Sequence, residues 1–273
     1  TKKKGYTTYS EYWGPKLSEK ITKNKKADLI YSANTLSHIE NFEEIFKSIN
    51  NALSDRGVLI IEDPSLLKCL QNLAYDQFYC EHIYVFSTLS LREVLKNFKL
   101  EIFDVENTKT HGGSNRYYIK KNINSLYKIS NRVKIEIKKE LQFGINKFST
   151  YQTFAKKVKI SKNKLLKIFS SLSKKKLRIV GYGATAKSCT VLNYCGLGKN
   201  DIKYFYDTTS YKVNKYLPGS KILIKKYKKL NRKEIDVAFL GAWNFKKEIF
   251  KKEKQFIKSG GKFITHVPYP KII

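Results

Sequence analysis

The chain has 273 residues, 41% hydrophobic and 14% aromatic, enough apolar material for two ordinary cores, which excludes a disordered chain. Lys and Arg number 54 against 23 Asp and Glu, a formal charge of +31 that favours anionic ligands and raises nucleic acid as a first suspicion. Only six of the basic residues are Arg, and the 48 Lys run from Lys2 to Lys271, so the bias is compositional and not a surface of bidentate forks; no nucleic-acid partner is expected.

No run of 18 apolar residues occurs, so no membrane span is expected. Cys69, Cys80, Cys189 and Cys195 lack C-x-x-C spacing, which argues against a metal site or a disulfide framework and for a reducing, cytoplasmic setting. The start, T-K-K-K-G-Y, has no apolar core of a signal peptide, and the absence of Met throughout reads as a fragment or a processed chain.

In chain order, Pro15 sits in the first turn of a helix following an aromatic loop. Residues 27–33 read as a strand and 34–39 as a loop. Apolar residues at 42, 45, 46, 49 and 53 mark a helix, 54–57 a turn and 58–61 a second strand. Strand, helix, strand in that order points to part of a parallel α/β sheet, whose ligands gather at the carboxyl ends of strands. Those ends are 32–38, with Asn34 and His38, and 62–64. A helix is expected within 66–82, carrying Y-D-Q-F-Y-C-E-H (75–82), the densest polar cluster of the chain. Tyr79 and His82, three apart, would share a helical face, where an imidazole beside a phenol can move a proton; the alternative is a polar helix start held by hydrogen bonds.

A helix over 90–97 and strands over 100–106 and 117–119 follow, the strands joined through T-H-G-G-S-N-R (110–116). Gly112 and Gly113 permit close approach to a ligand among His111, Asn115 and Arg116, or an ordinary hairpin turn. Residues 122–176 are Lys-rich, with Val133, Ile137, Leu141 and Ile145 every four residues, and read as connector helices. A strand at 177–180 then leads through G-Y-G-A-T-A-K (181–187) into a helix to Cys195, an arrangement that cradles anions. Asp207 ends the next expected strand, 201–207, at a position that fits a ribose contact. A turn at 216–219, strands at 234–240 and 262–265 and a helix at 245–256 complete a second α/β half.

The blocks E-D-P-S-L-L (62–67), Y-D-Q-F-Y-C-E-H-I-Y-V-F-S (75–87), T-H-G-G-S-N-R-Y-Y (110–118), G-Y-G-A-T-A-K-S (181–188), N-Y-C-G-L (193–197), Y-L-P-G (216–219) and A-W-N-F (242–245) resemble, in the same order, the sugar C-methyltransferases that act on deoxysugar nucleotides with S-adenosylmethionine. The resemblance implies a partial Rossmann-like methyltransferase domain over 1–120, a helical linker over 121–175 and a second Rossmann-like α/β domain over 176–273. It places catalytic groups at Tyr79, Glu81 and His82, with His111 assisting, and the methyl donor near Asn34 and His38. A nucleotide-linked keto-deoxysugar would meet Asn115, Arg116, Gly181, Gly183, Lys187 and Asp207. The family's N-terminal zinc-binding domain and the glycine loop that grips the methyl donor have no counterpart in these residues, and G-Y-G-A at 181 belongs to the C-terminal domain. The expected chemistry is removal of a proton beside a ketone by His82, with Tyr79 donating to the enolate oxygen and no metal required. The rivals are a non-catalytic nucleotide-sugar-binding fragment and a basic nucleic-acid-binding protein.

Overall fold

Caps and apolar stripes set the elements of the chain, which a computed structural model describes over residues 2–273. In order these are α1 (Pro15–Thr22), β1 (Ala27–Ala33), α2 (Phe42–Ala52), β2 (Leu53–Pro64), α3 (Leu66–Gln71), α4 (Thr88–Lys96), β3 (Leu100–Thr108), β4 (Ser114–Lys121) and α5 (Asn131–Phe143). Then follow α6 (Phe148–Lys174), β5 (Ile179–Tyr182), α7 (Ala186–Cys195), β6 (Phe205–Asp207), β7 (Ile224–Lys226), β8 (Val237–Leu240), α8 (Lys246–Lys252), α9 (Lys254–Lys258), β9 (Lys262–Thr265) and β10 (Lys271–Ile272). The fold is α/β, built as two units, each with its own Rossmann-like sheet. No helix among the described residues is long and apolar enough to cross a membrane.

The first unit takes the chain up to Leu66, Ile83–Lys109 and Gly113–Asn146. Its sheet has the order β1-β2-β4-β3, with β1 and β2 parallel and the other pairs antiparallel. Helix α2 links the parallel pair. It starts where Asn41 accepts from the Glu44 N–H, and it buries Ile45, Phe46, Ile49 and Ala52 against β2 residues Leu59 and Ile61. The turn expected at 54–57 lies inside β2. Ala27 pairs with Leu53 and Leu29 with Val58, so the extra residues are absorbed as an irregularity in the ladder. Of the expected four-residue stripe, Val133 and Ile145 are buried and Ile137 packs against the core, but Leu141 is exposed and Glu136 and Glu140 face inward in its place. Glu140 explains the difference, because its carboxylate accepts from the N–H groups of Thr88 (2.7 Å) and Leu89 (2.9 Å) and so caps α4.

The second unit gathers Leu67–His82, Thr110–Gly112 and Lys147–Ile273. These boundaries cut across the expected 1–120, 121–175 and 176–273: α5 belongs to the first unit, and α6 lies in the core of the second through Leu165, Phe169 and Leu172. The sheet order is β10-β9-β8-β5-β6-β7, parallel throughout except for β10. Alternate residues go to opposite faces. Ile179, Val237 and Phe239 pack under α6 and α7, while Val180, Tyr182, Ala238 and Leu240 meet Phe256 and Phe263. From β5 the chain adds β6 and β7 on one side and then β8 and β9 on the other. Such a reversal is where open α/β sheets bind ligands, here at the carboxyl ends of β5 and β8. The expected strands at 201–207 and 234–240 are shorter than their apolar runs, the expected helix at 245–256 is broken into α8 and α9, and β7 and β10 had no sequence signal.

Candidate functional site

The polar cluster at 75–82 does not ride on a helix. Helix α3 ends at Gln71, Leu73 takes a left-handed φ of 50°, and Tyr75–Gln77 form a single 3-10 turn. The chain then closes tightly, with His82 N–H donating to the Tyr79 carbonyl at 2.8 Å. This turn, not a helical face, brings the rings together, stacked with centroids 4.0 Å apart. His82 Nδ1 lies 2.8 Å from the Gln77 carbonyl, which can only accept, so Nδ1 carries the proton. Nε2 is then the acceptor, and the Tyr79 hydroxyl donates to it at 2.7 Å. Burial pushes the Tyr79 phenol up to about 12, with the charges of Glu81 and Asp76 adding to it, so it is a donor at neutral pH.

Tyr79, Cys80 and Glu81 line a pocket of about 790 Å³ in the second unit. Its other walls are the residues before α7 (Ala184, Thr185), one face of α7 itself (Ala186, Cys189, Asn193) and the segment from Tyr211 to Pro218. Thr185 caps α7 by accepting from Ser188 N–H at 3.1 Å, so that helix end presents its partial positive charge beside the cavity. Lys212 and Lys215 add full charges, and Lys212 donates to the Ala184 carbonyl at 2.9 Å.

The glycine loop supports this wall from behind. Gly183 has φ 87°, and a Cβ there would stand 2.6 Å from that of Ala242. Gly181 is buried in β5 against Phe205. Asp207, expected at a ribose, spends its carboxylate on the loop, accepting from the N–H groups of Ala184 and Thr209, each at 2.8 Å. Lys187, expected at a diphosphate, is buried and does not line the pocket; its Nζ stands 5.3 Å over the Trp243 ring. Burial lowers its affinity for a proton, against the pull of Asp76 and Cys69. His111 belongs to the same unit, at a left-handed φ of 53°, with its carbonyl held by Gln77 Nε2 at 2.6 Å.

The remaining expected residues lie in the first unit. Asn115 is fully buried and committed: its Nδ2 donates to the Tyr117 hydroxyl at 3.1 Å and its Oδ1 accepts from Asn107 at 2.7 Å. Arg116 pairs with Glu62 at 2.7 Å and with Glu106 at 3.7 Å, which spends its fork on β2 and β3. Asn34, at φ 50°, and the exposed His38 flank the carboxyl end of β1. There Asn34 Oδ1, Ser37 Oγ and Asp63 Oδ2 are buried without hydrogen-bond partners, while Asp63 Oδ1 accepts from Ser37 N–H at 3.4 Å. Burial lifts the Asp63 carboxyl to about 6. A set of orphaned acceptors at the end of a parallel strand pair suits a cationic ligand group.

Sequence reasoning missed Asp63, Lys212 and Lys215. Asp63 had a signal, a carboxylate at a strand end; the two lysines were hidden among 48.

A family profile described as C-methyltransferase C-terminal domain matches residues 109–268, and one described as Methyltransferase domain matches residues 7–105. The protein described as C-methyltransferase NovU from Streptomyces niveus is 29% identical over 271 residues, covering 99% of this chain and 64% of that relative. The chain thus spans 64% of the length of the curated relative it matches.

Proposed function

Because the chain belongs to the C-methyltransferase family, we propose that it takes part in methylating a carbon next to the ketone of a nucleotide-linked keto-deoxysugar, with S-adenosylmethionine as methyl donor. The observation that carries this reading is the Tyr79–His82 pair, joined at 2.7 Å, with Tyr79 facing the pocket. The carbon beside a ketone gives up a proton when its electron pair can move onto the carbonyl oxygen. Tyr79 oxygen takes that proton as its own passes to His82 Nε2, so no free phenolate builds up. His82 is the final base, and its Nδ1–H to the Gln77 carbonyl steadies the resulting imidazolium. This shares one proton between two groups that the sequence had given separate roles. The enolate carbon would then take the methyl group as the methyl–sulfur bond breaks, the sulfur leaving as a neutral thioether and the ketone re-forming.

Lys212, Lys215 and the start of α7 supply the positive field for a diphosphate, and Glu81, exposed at the pocket, is placed to hold a sugar hydroxyl. S-adenosylmethionine, when bound, supplies an electrophilic methyl on a positively charged sulfur. Its ammonium group suits the unpaired acceptors Asn34 Oδ1 and Asp63 Oδ2, with the Ser37 hydroxyl and His38 beside them.

The test follows solvent hydrogen exchange at the carbon beside the ketone, using the full-length protein. His82→Ala is expected to abolish both exchange and methylation while leaving S-adenosylmethionine binding intact. Undiminished exchange in that variant removes His82 from the role of base.

A further inference from the structure

The turn that carries Tyr79 and His82 is tied down by a carboxylate that the proposed chemistry does not use. Asp76 is fully buried, and its Oδ2 accepts two hydrogen bonds, from Trp243 Nε1 at 2.6 Å and from His266 Nε2 at 3.0 Å. Trp243 follows β8 and His266 follows β9, so the donors come from the carboxyl ends of neighbouring strands. The His266 ring is stacked on Phe239 at 5.6 Å and is itself fully buried, which fixes the direction of its N–H. Lys187 adds a buried positive charge whose field reaches Asp76.

The same clamp gathers a third strand of contacts. The Trp243 indole lies against Gly112, leaving no room there for a Cβ, and Gln77 and Asn72 donate to the carbonyls of His111 and Gly112 at 2.6 and 3.2 Å. A buried carboxylate is a costly way to fill space, and an apolar side chain would fill it more cheaply. Two N–H groups from separate loops, converging on one oxygen, add direction: they set the height and rotation of the turn three residues before Tyr79.

We infer that Asp76, clamped by Trp243 and His266, is a positioning residue that sets where the Tyr79 hydroxyl stands in the pocket. The inference rests on the methyl-transfer reading for its effect on catalysis, but not for the clamp itself. Trp243→Phe keeps a ring and removes the N–H. His266→Leu removes the other donor, and His266→Gln retains one. Amide hydrogen exchange across 77–82 is measured on this chain, and steady-state methylation on the full-length protein. Trp243→Phe and His266→Leu are expected to speed amide exchange there about tenfold and lower kcat about 10- to 100-fold, with KM for the sugar changed less than about threefold. His266→Gln is expected to stay close to the parent in both. Where Trp243→Phe does not fold, Asp76→Asn carries the same two measurements. Unchanged amide exchange in the folded variants overturns the clamp, and faster exchange with unchanged kcat overturns its positioning role. A parent protein that transfers no methyl, with the amide result as expected, overturns the functional reading and leaves the clamp standing.

Discussion

Asp63 is only 1% exposed, and burial lifts its carboxyl from the usual 3.8 to about 6. Between those values the folded state keeps a proton that the unfolded chain has released. Stability therefore falls as pH rises from about 4 to about 6 and stays lower above, by about 3 kcal/mol from this group. Asp63→Asn, which keeps an acceptor for Ser37 N–H, is expected to raise the melting temperature at pH 7 and to flatten that part of the pH profile. The same change is expected to weaken S-adenosylmethionine binding, as calorimetry on the full-length protein would register. A stabilising substitution that costs ligand affinity is the mark of a group held for function. Tyr79 makes the complementary case. Tyr79→Phe retains the ring against His82 and loses the shared proton, and kcat is expected to fall about 10²- to 10⁴-fold, with folding unchanged by circular dichroism.

At the scale of elements, the loop between β5 and α7 is fastened from three sides. Asp207 holds Ala184 N–H, Ser188 Oγ donates to the Gly183 carbonyl at 2.8 Å, and Gly183 fits under Ala242 only without a side chain. Gly183→Ala places a Cβ at a left-handed φ and into Ala242, at a cost of about 1–3 kcal/mol that urea unfolding would measure. Strand, glycine loop and helix were legible here because β5 is a short apolar run and Thr185 is a helix cap. The parallel β1–α2–β2 unit was legible for a like reason, since the stripe through Ile45, Phe46 and Ile49 has helical period. The turn at 75–82 was not, because its geometry depends on Leu73 at positive φ and on donors from Trp243 and His266, far along the chain. Lys187 read as an anion ligand because it closes the G-Y-G-A-T-A-K loop at a helix start, where anions are cradled. Burial beside Asp76 and Trp243 is a tertiary fact with no local signature. The family blocks named Tyr79, Glu81 and His82 together, but not which of them faces the pocket.

For the whole molecule, a formal charge of +31 means that polyanions will bind it, with or without a site for them. Heparin or duplex DNA is expected to be retained at low ionic strength and released steeply as salt rises, without preference for sequence; filter binding across a salt series checks this. Salt-resistant, sequence-dependent RNA binding would instead revive the nucleic-acid reading. The second unit also draws on three separated stretches of chain, and the bond between Asp76 and His266 joins residues 190 apart. At a ribosomal pace of roughly 5–20 residues per second, the 75–82 turn waits roughly 10–40 s for the strand end that receives it. Tyr75 meets its own unit sooner, through Tyr194 and Cys195 of α7, but the Asp76 carboxylate lacks both of its donors until Trp243 and then His266 are made. A nascent chain halted before β9 therefore carries the Asp76 carboxylate without one of the two N–H groups that meet it in the folded unit, so the full fastening of the 75–82 turn waits on a strand end far downstream.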